Sequence, residues 1–169
     1  MQFTLKTISK AGIPEAISKA ELYRSLNEPE EAESICRDIL AVEPEHQLAL
    51  RLLGLAITDQ FGEDASDRHR EAEGLFRNLT DPYERLYYTG ILHERRAKAQ
   101  VRLGRPLHAL GPLFAEAMRC FAEAETIRPA DNDDALLRWN RCARLLQSDA
   151  GFYAEEESER FDAIDSSPI

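Results

Sequence analysis

No stretch of this chain approaches the roughly 18 consecutive apolar residues of a membrane-spanning helix, so no span is expected. The start, Met1 to Lys6, holds no apolar run of signal-peptide length. The four histidines, His46, His69, His93 and His108, stand singly. There is no His-x3-His and no Cys-x2-Cys pair, so no metal site is expected. His93-Glu94 lacks the second histidine of a zincin-type motif. A phosphate-cradling loop and a dinucleotide fingerprint are both missing; Gly12 and Gly54 stand alone. No G-x-S-x-G occurs, and the serines have no nearby histidine partner. These absences predict no catalytic residues and no cofactor. The three cysteines, Cys36, Cys120 and Cys142, each fall in a helical pattern and read as core thiols of a reducing cytoplasm. Positive charge is in short supply as well: the net charge is -10 and the pI about 4.9. A general nucleic-acid or anionic-membrane binder would carry a basic surface, so neither partner is expected.

What is present is helix. The chain has 169 residues, 43% of them hydrophobic, enough for one core. Its prolines fall between periodic segments. Residues Phe3 to Ala11 read as an extended arm or a short helix. Gly12-Ile13-Pro14 opens a helix with Ala16, Ile17, Ala20, Tyr23 and Leu26 on one stripe. Asn27-Glu28-Pro29 turns into a second, where Glu30 and Glu31 meet the positive end of the dipole; Ala32, Ile35, Cys36, Ile39 and Leu40 form its stripe, and Pro44 ends it. After the third, Gln60 to Ala65 is a long turn, with Ser66 a candidate N-cap for the fourth. Asp81 caps the next helix, with Pro82 at its first position and Glu84 reaching back as in a capping box. From Pro82 to Leu103 the only interruption is Gly90, so one long helix is predicted. Its partner is predicted over about 106–127, bent near Pro112. The last clear helix runs from about Asn132 to Gln147.

Three stretches share a spacing. Ala117-x3-Phe121-x2-Ala124-x4-Pro129 places small, large and small residues on one helix face, which suits close helix approach. Ala72-x3-Phe76-x2-Leu79 and Ala32-x3-Cys36-x2-Ile39-x4-Pro44 repeat it. Leu50-x2-Leu53-Gly54-x2-Ile57 supplies a first-helix counterpart, with Gly54 admitting a close neighbour. Leu136-x2-Trp139-Asn140-x2-Ala143 fits that spacing when shifted by one residue. Together these patterns resemble the tetratricopeptide repeat, W-x2-L-G-x2-Y followed by A-x3-F and a proline. The resemblance covers residues 13–147, and the hairpin at 82–127 departs from it by its length. It implies an all-α chain of about seven helices in antiparallel hairpins, an α-solenoid. The organisation expected is an arm over 1–12, units at about 13–46, 47–81 and an expanded 82–131, a capping helix over 132–147, and an acidic tail over 148–169, read as disordered from about 159. Ala32, Ala72 and Ala117 are expected at close helix contacts.

The resemblance also implies a non-enzymatic scaffold whose first helices line a ligand groove. Arg95, Arg96 and Arg102 lie on one such helix. Arg138, Arg141 and Arg144 recur three apart on the last, and placing Trp139-Asn140 at the repeat's Leu-Gly position turns them toward the groove. Guanidinium groups match carboxylates in bidentate geometry, so these six arginines are the candidate partner-binding residues, for a protein or peptide segment of acidic character. The bland alternative pairs them with Glu94, Glu116, Glu123 and Asp134. The acidic tail, Glu155 to Asp165, is itself a candidate occupant. The lysine and asparagine of a chaperone-type carboxylate clamp are missing. Tyr83, Tyr87 and Tyr88 are further interface candidates, although Leu86, Ile91 and Leu92 draw at least one ring into the core. Two other classes remain open: a self-assembling helical module that dimerises, and a small-anion sensor or enzyme accessory subunit.

Overall fold

A computed structural model describes residues 3–62 and 66–148. They form seven α-helices: α1 Ile13–Ser25, α2 Pro29–Val42, α3 Gln47–Asp59, α4 Ser66–Arg77, α5 Pro82–Arg102, α6 Gly111–Thr126 and α7 Asp134–Gln147. Short 3-10 turns at Lys10–Gly12 and His108–Leu110 precede α1 and α6, and no strand occurs among the described residues. Each helix packs on the next along the chain, and α1 with α3 and α3 with α5 also touch, giving an all-α stack of antiparallel hairpins. The N-terminal arm is not helical before Lys10; Phe3 and Leu5 are exposed, while Ile8 rests on the core.

Proline sets the starts. Pro14, Pro29, Pro82 and Pro112 all stand at the first or second position of their helices, where the missing N–H costs nothing. At Pro112 this corrects the expected bend. The residue opens α6 at Gly111, and the preceding Leu107–Leu110 stretch is a tight turn. The second arm therefore has 16 residues against 21 in α5, so the two arms are not lengthened alike. Leu26 lies past the end of α1 and is exposed. Asp81 caps α5 as expected, accepting from the Tyr83 and Glu84 amides at 2.8 and 3.4 Å. Glu84 does not reach back; its carboxylate accepts from Arg51 instead. An unforeseen cap is His46, whose Nδ1 accepts from the Ala49 amide at 3.2 Å. The turn at Gln60 to Ala65 lies partly outside the described residues.

Close approach has a specific cause in two hairpins. A Cβ on Gly54 would sit 2.4 Å from the Phe76 ring, and one on Gly90 would sit 2.5 Å from the Phe121 ring. Each phenyl fills the notch its glycine leaves, between α3 and α4 and between α5 and α6. α5 thus runs through Gly90 without a break. Ala32, Ala72, Ala117 and Ala124 are fully buried. One apolar cluster spans α1 to α4 and takes in Leu92 and Ala99 of α5. A second spans α5 to α7, and Leu55 and Tyr88 touch both. Cys36, Cys120 and Cys142 are buried free thiols.

Candidate functional site

The odd-numbered helices α1, α3 and α5 carry polar side chains at matching heights: Arg24 four residues after Ala20, Asp59 five after Gly54, and Arg95 five after Gly90. The stacking of those helices turns this spacing into a strip. Arg24 Nε donates to Asp59 Oδ2 at 2.8 Å, and Arg95 Nη1 donates to the other oxygen. Arg95 also donates to the Thr58 hydroxyl at 2.6 Å and to the Leu55 carbonyl at 3.1 Å. Burial pushes its pKa down and Asp59 pushes it back up; a guanidinium stays charged all the same.

Beyond Arg95 the strip continues through Glu94, whose side chain is fully buried, 0% exposed, and which accepts from Lys98 and from Arg138 of α7, the latter at 3.3 Å. Burial opposes charge on Arg138, but Glu94 and a hydrogen bond with Tyr87 outweigh it and raise its pKa. Nearer the start of α5, Arg51 donates to Glu84 at 2.6 Å, and its guanidinium lies 5.8 Å from the centre of the Tyr88 ring. Tyr83 stacks on Tyr87 at 5.8 Å, and Tyr87 meets Tyr88 edge-on at 5.1 Å. The Tyr83 hydroxyl donates to Asn132, and burial pushes its pKa up to about 12.

Of the six arginines singled out from sequence, the structure brings two together, Arg95 and Arg138, which feel each other electrostatically. Arg96 instead influences His69 and His93, on the side of α5 that faces α4. Arg102, Arg141 and Arg144 are exposed, and none forms an ion pair among the described residues. The Leu-Gly placement of Trp139-Asn140 does not hold: Trp139 is 38% exposed, and Ala135, Cys142 and Leu146 are the residues of α7 that enter the core. The bland pairing with Glu94 holds for Arg138 alone. Sequence reasoning missed Arg24, Arg51 and Asp59 as members of the strip. Arg24 and Asp59 stand four and five residues after the small residue of their helices and Arg51 three before Gly54, so no fixed spacing in the sequence marks them. Glu94 carried only its four-residue spacing to Lys98, which ordinarily marks an exposed pair.

Two other polar clusters lie elsewhere. Glu33 of α2 accepts from Arg37, Gln60 and Arg68, and Arg68 and Arg37 both reach Glu71. The hydrogen bond from Arg68, helped by Arg37 and Gln60 and opposed by burial, holds Glu33 at about 2, against 4.5 ordinarily. His69 and His93 lie with ring centres 5.9 Å apart, and burial lowers both pKa values. No group of three metal-ligating side chains occurs among the described residues, and no described helix is long and apolar enough to cross a membrane.

No family model matches the chain, and no curated protein or solved structure matches it either.

Proposed function

We propose that this protein is a binding scaffold whose odd-helix face takes an acidic segment of a partner protein. The observation that carries the reading is the half-buried strip itself. Arg24, Arg51, Arg95, Lys98 and Arg138 pair there with Asp59, Glu84 and Glu94, five cations to three carboxylates, while the whole chain is strongly acidic. Tyr87 and Tyr88 add flat apolar surface beside the guanidiniums, a mixture typical of binding hot spots. The resemblance to tetratricopeptide repeats agrees, since first helices line the groove in that family. Arg95 and Arg138 stay in the proposed groove; Arg24, Arg51 and Lys98 join them, and Arg102, Arg141 and Arg144 are left at its edge or outside it. The strip offers donors and positive charge but no paired nucleophile and base, which fits binding better than catalysis. We place the protein in a reducing compartment, where its buried thiols stay reduced.

The test is titration with peptides of equal length that are acidic, neutral or basic, at low and high salt. Acidic peptides should bind preferentially, with affinity falling as salt screens charges beyond about 8 Å at physiological ionic strength. Arg24→Gln with Arg51→Gln should weaken binding, most clearly at low salt. Equal binding of the three peptides sinks the proposal.

A further inference from the structure

The even-numbered helices are alike in their surroundings, each lying between two neighbours. α2 packs on both α1 and α3, α4 on both α3 and α5, and α6 on both α5 and α7. α7 has no such helix after it among the described residues. Where one would sit there is an open apolar cleft of about 420 Å³, lined by Gly111, Ala115 and Met118 of α6 and by Trp139, Ala143 and Leu146 of α7. Trp139 remains 38% exposed and Leu137 on the same helix 60% exposed. The small residues Gly111 and Ala115 line the α6 side of the cleft.

The chain itself supplies an occupant of the right length in the right place. Gln147, the last residue of α7, lines the cleft, so the following segment starts at its mouth. That segment runs to Ile169. On a helical wheel of 3.6 residues per turn, its Ala150, Tyr153, Ala154, Phe161 and Ile164 fall within about a third of the circumference, while Phe152 falls on the opposite side. Of its acidic residues only Glu157 shares that arc; Glu155, Glu156, Glu159, Asp162 and Asp165 fall outside it. The span 150–165 equals α6 in length, at 16 residues. We infer that the segment 150–165 docks in the cleft between α6 and α7, with Tyr153, Phe161 and Ile164 against its apolar lining. This differs from docking of the same segment on the charged strip: the contact is apolar, at the end of the stack, and leaves the strip open. It stands independently of the proposed function.

Trp139 is the chain's single tryptophan and reports on the cleft directly. The experiment compares Trp139 emission and acrylamide quenching in the full chain, in full-length Phe161→Ser with Ile164→Ser, and in full-length Glu155→Gln with Glu159→Gln. The serine pair should shift emission to the red and increase quenching, equally at low and high salt and at every protein concentration. The glutamine pair should leave both unchanged, and far-UV circular dichroism melting of the body should stay intact in both. Identical fluorescence in all three proteins overturns the inference. A change seen only at low salt, and caused by the glutamine pair too, overturns it in favour of docking on the charged strip. Shielding that grows with protein concentration overturns it in favour of a second copy in the cleft.

Discussion

Replacing Gly90 with alanine sets two effects of known size against each other. Alanine gains about 1 kcal/mol over glycine in a helix interior. At this position the new methyl would stand 2.5, 2.7 and 3.0 Å from three atoms of the Phe121 ring, well inside ordinary contact. The ring has nowhere to go: it is fully buried, with Tyr87 5.9 Å away, centre to centre. Overpacking of this kind costs about 1–3 kcal/mol, and three simultaneous overlaps with a confined ring place it in the upper part of that range. The net result is a loss of about 1–2 kcal/mol, which in a chain of this size lowers Tm by roughly 2–8 °C. Gly54→Ala should behave the same way against Phe76, at 2.4, 2.7 and 3.0 Å. Gly74 in α4 is the control, since a Cβ there meets nothing within 4 Å; Gly74→Ala should stabilise by about 0.5–1 kcal/mol. Gly90→Ala with Phe121→Leu should lose less than the two single losses added together, because the smaller side chain relieves the overlap. Urea unfolding of the five variants measures all of this. If Gly90→Ala and Gly74→Ala raise the midpoint equally, the notch is not what holds α5 against α6.

Glu94→Ala leaves Lys98 and Arg138 without their buried carboxylate and should cost about 3–5 kcal/mol by urea unfolding, while the exposed Glu21→Ala should be near neutral. Ala117→Leu, at a fully buried position, should lose about 1–3 kcal/mol through overpacking, and an unchanged Tm would refute the close contact there. Acid should act in two stages. His69 and His93 have lowered folded pKa values, so the unfolded chain binds their protons first and stability begins to fall as pH drops below about 6.5. Glu33 has a depressed folded value, so its contribution is intact above about 4.5 and is lost as pH falls toward 2. His69→Gln should remove part of the first stage and Arg68→Gln most of the second, read by unfolding at a series of pH values. Cys36, pushed up to about 12 by burial, should resist alkylation at pH 8 until the protein is denatured.

The helical frame was legible because apolar stripes and prolines speak locally. Ala32, Ala72 and Ala117 announced their burial by spacing alone. Pro112 was misjudged because a proline inside an apolar stretch kinks a helix or starts one, and only the backbone of Leu107 to Leu110 decides which. Gly90 read as an interruption, since its value lies in Phe121, 31 positions away in the chain. The arginines show the sharpest limit. Arg95 and Arg96 are neighbours in sequence but point about 100° apart around a helix of 3.6 residues per turn. Arg138, Arg141 and Arg144 drift by about 60° at each three-residue step, so clustering along the chain is not clustering on a face. A strip built from one residue on each of several helices needs the stacking order first.

The sharing of α5 between two apolar clusters affects how the stack comes apart. Leu92 and Ala99 belong to the α1–α4 side, while Tyr83, Ile91 and Ala97 of the same helix belong to the α6–α7 side. Arg95 sits between them and ties α5 to α3 through Leu55, Thr58 and Asp59. Neither half of the molecule can shed α5 without exposing its own core. Amide hydrogens should therefore exchange slowest along this helix and faster toward both ends of the chain, and a partner gripping Arg95 would be holding the last element to let go.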